Sequence, residues 1–188
     1  MKIRRKKEIY LEGGKVKIAI VKDVAKFDPE KSEANIIISL DNNIKPSQDK
    51  NKFVLVNPGE YEVKDVLIYA ISSNHSEKLD LLAIDVEGVN VAYLADRVNK
   101  LSSETIDQIG VCHVMLVEVS QENLAAKSEL VNEFEPYVVI PLTDSQEVLQ
   151  KFAANLGVSL PEIQNYVTYT ASEFESSEEA ATSLVVLA

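Results

Sequence analysis

Hydrophobic and polar positions change rhythm once along this chain. In the first half, apolar residues alternate with polar ones or form short blocks; in the second half, such blocks take turns with segments of helical period. Glu8 to Glu12 and Lys15 to Val21 read as strands joined at Gly13-Gly14, a hairpin signal. Lys15 and Lys17 alternate with Val16 and Ile18, which gives this strand one wet face and one dry face. Asn35 to Leu40 contains Ile36, Ile37 and Ile38 in succession, a β-branched run expected of a strand buried on both faces. Asp41 to Lys52 is polar and reads as a loop. After Phe53 to Val56 comes Asn57-Pro58-Gly59-Glu60. Pro58 presets φ and Gly59 accepts a positive φ, so the segment predicts a tight type II turn. Further strands are expected at Tyr61 to Val63, Val66 to Ile71, Leu79 to Val86 and Val89 to Leu94, the last two joined at Glu87-Gly88.

The second half alternates strands and helices. Ser102 or Ser103 can cap a short helix that stops at Gly110. Val111 to Val117 reads as a strand, and Asn123 to Phe134 as a helix with Leu124, Ala125, Leu130, Val131 and Phe134 on its apolar side. Tyr137 to Pro141 is a strand, then Thr143 with Gln146 suggests a capping box for a helix that runs to Leu156 and ends at Gly157. Tyr166 to Thr170 and Ser183 to Leu187 read as final strands around an acidic, Ser-rich segment, Ala171 to Ala181, expected to be an exposed loop. No fixed-period repeat and no long linker divides the chain. Strands first and strand–helix units afterwards predict one α/β domain over residues 1–188, an α+β sandwich of two sheets with helices outside.

Charge narrows the classes of partner. The formal net charge of −11 opposes broad nucleic-acid binding, which needs a positive footprint. Lys2, Arg4, Arg5, Lys6 and Lys7 form a basic run without interleaved aromatics; it reads as a charged edge strand and not as a nucleic-acid arm. Nothing apolar follows it as in a signal peptide, and no apolar run approaches the ~20 residues of a membrane span. Cys112 is the single cysteine, so no intrachain disulfide forms, which suits a cytoplasmic location.

Candidate chemistry is sparse. His113 adjoins Cys112 in a predicted strand, so their side chains face opposite ways and cannot act as a pair. His75 lies among Ser72, Ser73, Asn74 and Ser76, but no nucleophile elbow surrounds it. Zinc spacing, a P-loop and a dinucleotide fingerprint are all missing.

Three segments carry a family resemblance. Asn57-Pro58-Gly59-Glu60-Tyr61-Glu62-Val63, followed by Val66-Leu67-Ile68, is similar to a P-G-E-Y-E-[IV] segment. Val89 to Asp96, VNVAYLAD, looks like a strand ending in a metal-bridging Asp. Ile109 to Val119 and Glu122 to Pro141 match a strand–helix–strand stretch. Together they resemble the metallo-β-lactamase superfamily, more narrowly its short bacterial and archaeal zinc-dependent hydrolases of the ascorbate-phosphate lactonase type. The resemblance implies an αββα four-layer sandwich with two mixed sheets. It also implies where metal ligands would stand, and most are absent. The H-x-H-x-D-H motif falls on Leu40, Asn42, Ile44 and Lys45, and a later histidine on Thr143. Asp96 remains at the bridging position and His75 at the third-histidine position, with Ala95 where a Gly usually precedes the Asp.

Two ligands are too few for a catalytic zinc, which takes three protein ligands and a water, and Lys45 opposes a cation. The expectation is a non-catalytic homologue, free of cofactor, that binds or regulates a protein or small-molecule partner. The alternative is a residual hydrolase of phosphoesters or lactones with a weak Mg²⁺ or Mn²⁺ site at Asp41, His75, Asp96 and Asp144. Deprived of a cation, Asp96 should be solvated or paired with a basic group, with Lys45 and Arg97 as candidates.

Overall fold

A computed structural model of the chain describes residues 1–72, 78–175 and 182–188, so His75 lies outside the described residues. In chain order the elements are β1 (Lys2–Arg5), β2 (Ile9–Gly13), β3 (Val16–Val21), a 3-10 turn (Val24–Lys26), β4 (Ile36–Ser39), β5 (Phe53–Leu55), β6 (Gly59–Val63), β7 (Val66–Ile71), β8 (Leu81–Val86) and β9 (Val89–Leu94). There follow α1 (Ser103–Ile109), β10 (Val114–Glu118), α2 (Leu124–Phe134), β11 (Val138–Leu142), α3 (Gln146–Asn155), β12 (Ile163–Gln164), β13 (Val167–Thr168), α4 (Ala171–Glu175), β14 (Ser183–Leu184) and β15 (Val186–Leu187).

Among the described residues, one large sheet has the order β13-β1-β2-β3-β4-β5 and the other β14-β11-β10-β9-β8-β7-β6, with β12 and β15 forming a separate parallel pair. Both large sheets are mixed. β3, β4 and β5 run parallel, as do β9, β10, β11 and β14; the other pairs in these two sheets are antiparallel, by hairpins except for β1 with β13. Period-two alternation then sorts the side chains. Ile18, Ile20, Ile36 and Ile38 from one sheet meet Ile84, Val91, Leu116 and Ile140 from the other in the inter-sheet core.

On its outer face the second sheet presents Leu81, Ala92, Leu94, Met115, Val117 and Val139 to the helices, which answer with Leu130, Val131 and Phe134 of α2 and Val148 and Phe152 of α3. The expected two-sheet sandwich with helices outside is therefore what forms. Over the first sheet the outer layer consists of the 3-10 turn and loops, whose Val24, Phe27, Ala34 and Ile44 cover Ala19, Val21 and Ile37. The triple isoleucine is buried on both faces for this reason.

Several local expectations need correction. The basic run is not an edge strand, because β13 pairs with Lys2 and Ile3 on the far side of β1. Its charges are occupied locally: the Arg4 guanidinium stacks on Tyr10 at 4.4 Å and its Nε donates to Glu12 at 2.7 Å, while Lys2 lies 4.2 Å from the Tyr166 ring centre. Asn57 to Glu60 is not a tight type II turn. Gly59 has the expected positive φ, but at 149° it is far from the turn value, and the residue is already the first of β6, paired with Ala70. Thr143 does not cap α3; the Ser145 hydroxyl does, accepting from the Val148 amide at 3.3 Å. β10 starts at Val114, so Cys112 and His113 precede the strand. Ala171 to Glu175 is helical because Thr170 and Glu173 form a capping box, the carboxylate accepting from the Thr170 amide at 2.6 Å, while Phe174 is buried. The remainder of that segment lies outside the described residues.

Candidate functional site

Parallel strands deliver their C-terminal ends to one edge of a sheet. β9, β10 and β11 thereby bring Tyr93 and Asp96, Glu118 to Ser120, and Leu142 to Asp144 to one end of the sandwich. The facing sheet adds the end of β1 with Arg5 and Lys7, the start of β2 with Glu8, and the end of β3 with Lys22. These residues line a cleft of about 450 Å³.

Glu118 is the hub of the cleft. Its Oε1 accepts from the Tyr93 hydroxyl at 2.6 Å, and its Oε2 accepts from the Asp96 amide at 2.8 Å and lies 2.9 Å from Lys22 Nζ. Burial, reinforced by the Glu118 charge, holds the Tyr93 phenol well above its ordinary pKa, so it stays a neutral donor. Glu8, also buried, is pushed upward by desolvation, which the hydrogen bond from the Lys22 amide partly offsets. On the opposite wall, Arg5 donates to the Thr143 carbonyl at 3.0 Å and pairs with the Asp144 carboxylate.

Asp96 is exposed. Its side-chain partner is neither Lys45 nor Arg97. The Asn123 amide donates to Asp96 Oδ1 at 2.7 Å and to its carbonyl at 3.0 Å, while Arg97 turns to Asp80 at 3.3 Å and to the Leu79 carbonyl at 2.6 Å. Asn123, the residue that precedes α2, and Lys127 within it stand one helical turn apart. Lys127 is fully buried, and its Nζ donates to the Ala95 and Val98 carbonyls on either side of Asp96. Desolvation lowers the Lys127 pKa to about 8, against the pull of Asp96, Glu118 and Asp80.

The structure thus gathers Asp96, Thr143 and Asp144 at one cleft. The segment after β4 goes elsewhere: Leu40 enters the inter-sheet core, Ile44 packs outside the first sheet, and Asn42 and Lys45 lie at the surface. Asp41 pairs with Lys78 at 2.6 Å, which holds its carboxyl below the usual range. Among the described residues, no three His, Cys, Asp or Glu side chains converge as metal ligands. Cys112 and His113 are structural. Burial pushes the thiol up to about 12, while His113 stacks on Phe174 at 4.6 Å and accepts from the Asn90 amide through Nδ1 at 2.9 Å.

The sequence reading missed Glu118, Tyr93, Asn123 and Lys127. One signal was available for the last of these. Position 127 falls on the apolar stripe of α2, three residues after Leu124 and four before Val131, where a lysine has no place unless it is paired.

Comparison with known proteins agrees with this architecture. A protein of Thermotoga maritima, provisionally described as a Zn-dependent hydrolase of the metallo-β-lactamase superfamily, superposes with a TM-score of 0.71 at 19% identity, covering 100% of this chain and 99% of its own. The metallo-β-lactamase fold protein YhfI of Bacillus subtilis gives 0.57 at 9% identity, covering 96% of this chain and 88% of its own. Curated proteins give no match to the sequence. No helix among the described residues is long and apolar enough to cross a membrane. The sequence profile of the β-lactamase superfamily domain matches residues 12–143, well over half of the chain, and the chain belongs to that family.

Proposed function

We propose that this chain is a metal-free member of its superfamily that works as a cytoplasmic binding or regulatory module and not as a hydrolase. The observation that carries the reading is internal charge pairing at the cleft. Arg5 pairs with Asp144, Lys22 with Glu118, and the Asn123 amide with Asp96. A divalent cation entering there would displace these donors and sit beside two positive side chains. A cleft of about 450 Å³ is of the size that holds a small molecule, and the net charge of −11 disfavours a polyanion. Elemental analysis of protein purified without chelators should find no stoichiometric zinc, iron or manganese; one equivalent bound at Asp96 would overturn the proposal.

The competing reading is a residual metal-dependent hydrolase of phosphoesters or lactones. It draws on Asp96, Glu118 and Asp144 lining one cleft. It requires a divalent-dependent activity that Asp96→Ala abolishes. A flat screen of esters, lactones and phosphodiesters would retire it.

A further inference from the structure

A second concavity, about 540 Å³, lies on the outer face of the seven-stranded sheet and shares no lining residue with the charged cleft. Helices cover this face over β9 to β11, but past α1 no described element covers the sheet. Register shows what it presents. Glu62 stands opposite Leu67, Leu67 opposite Asp85, and in the next row Glu60 stands opposite Tyr69. Residues directly opposite share a face, so Glu60, Glu62, Leu67, Tyr69 and Asp85 form one continuous surface. Leu67 is 56% exposed, and Val111 beyond α1 is 60% exposed. The ionisable lining contains carboxylates and no Lys, Arg or His. Beside it runs β6, the last strand of its sheet among the described residues, with one edge of backbone groups that no described strand engages.

We propose that this face docks an extended segment of a partner protein in which Lys or Arg alternates with apolar residues, added as a strand along β6. The edge supplies main-chain hydrogen bonds, and period two aims every second side chain of the guest over Glu60 and Glu62. Methylene stems of Lys or Arg would cover Leu67 and Tyr69 while their heads meet the carboxylates. A second copy of this chain is a poor occupant. Antiparallel self-pairing centred on Tyr61 would set Glu60 of each copy against Glu62 of the other, and like charges directly opposite repel.

The test uses the full chain and a fluorescent nonapeptide of alternating Lys and Val, with three controls: Glu in place of Lys, the same residues in two blocks, and N-methylation of alternate amides. The alternating Lys peptide should bind, and each control should bind at least tenfold more weakly. Glu60→Lys/Glu62→Lys should abolish binding. Glu129→Lys/Glu133→Lys, an equal charge change at exposed positions on α2, should leave it within twofold. Amide exchange should slow in residues 59–71 on binding. No binding at millimolar peptide, equal binding of the block or N-methylated peptide, or equal loss in both charge variants would overturn the proposal. So would concentration-dependent dimerisation that Glu60→Lys/Glu62→Lys removes. None of these outcomes bears on metal at the cleft.

Discussion

Lys127 donates to the carbonyl of Ala95 from inside the helix–sheet layer, and so ties α2 to the turn that carries Asp96. The bond has a cost, because an ammonium is removed from water and burial lowers its pKa to about 8. In the unfolded chain the same lysine keeps its proton to about pH 10.4. Between these values the unfolded state binds more protons, so this group's contribution to stability rises with pH through that window. Lys127→Met removes the titration. Thermal melts should show wild type gaining on the variant between pH 7 and pH 9.5. Above pH 10 both proteins should lose stability, because Tyr93 and Tyr169 stay protonated in the fold but ionise when unfolded, Tyr169 being held up at about 12; that loss cancels in the comparison. A constant difference in melting temperature between pH 7 and pH 9.5 would show that burial does not lower the Lys127 pKa and that the ammonium stays charged in the fold.

Gly59 starts β6 at φ +149°, a region L side chains rarely adopt, and a Cβ there would lie 3.4 Å from the Tyr61 ring. Gly59→Ala should therefore destabilise the fold by more than the ~1 kcal/mol that removing a glycine can gain at a permissive site. A melting temperature equal to or above wild type would contradict this.

Phe174 should behave as a core residue although it sits in a five-residue helix. It stacks on His113, meets the Tyr137 ring at 5.4 Å and the Tyr169 ring at 5.6 Å, and is 7% exposed. Phe174→Ala should cost about 3 kcal/mol, read by urea denaturation. A loss under 1 kcal/mol would mean that α4 contributes little to the inter-sheet core.

The parts of the fold legible in the sequence are those where side-chain period and turn chemistry agree. The β2–β3 and β8–β9 hairpins follow from alternation plus Gly13-Gly14 and Glu87-Gly88, the latter pair with positive φ at both residues. β4 follows from its three isoleucines, and α1 from Ser102 and Gly110. What escaped lacks a period of its own. β13 lies within the strand read at Tyr166 to Thr170, but it is only two residues long, so its pairing with β1 could not be foreseen. α4 carried a capping signal at Thr170 and Glu173, hidden in a stretch whose acidity suggests a loop. Asp96, Thr143 and Asp144 do share a cleft, but its hub did not declare itself. Glu118 is one carboxylate among thirty acidic residues until Tyr93, Lys22 and the Asp96 amide are seen to converge on it.

The strongest constraint on any attempt to rebuild a metal centre comes from Leu40. Its amide donates to the Val21 carbonyl at 2.9 Å, which continues the β3–β4 pairing, and its side chain is 5% exposed within the inter-sheet core. Leu40→His would place a polar ring among apolar neighbours and leave part of its volume unfilled, at a cost of about 2–4 kcal/mol. Asn42→His adds a second imidazole at an exposed position on the same loop. Two histidines do not complete a ligand set while Lys45 and Thr143 occupy the remaining positions, and Lys22 and Arg5 still neutralise the carboxylates that a metal would need. The Leu40→His/Asn42→His variant should therefore melt several degrees below wild type and show no zinc-dependent hydrolysis of lactones or phosphodiesters. Zinc-dependent turnover in that variant, absent from wild type and removed by chelator, would mean that the two substitutions alone restore a working centre, and the reading of the cleft as closed to metal by its own cations would be wrong.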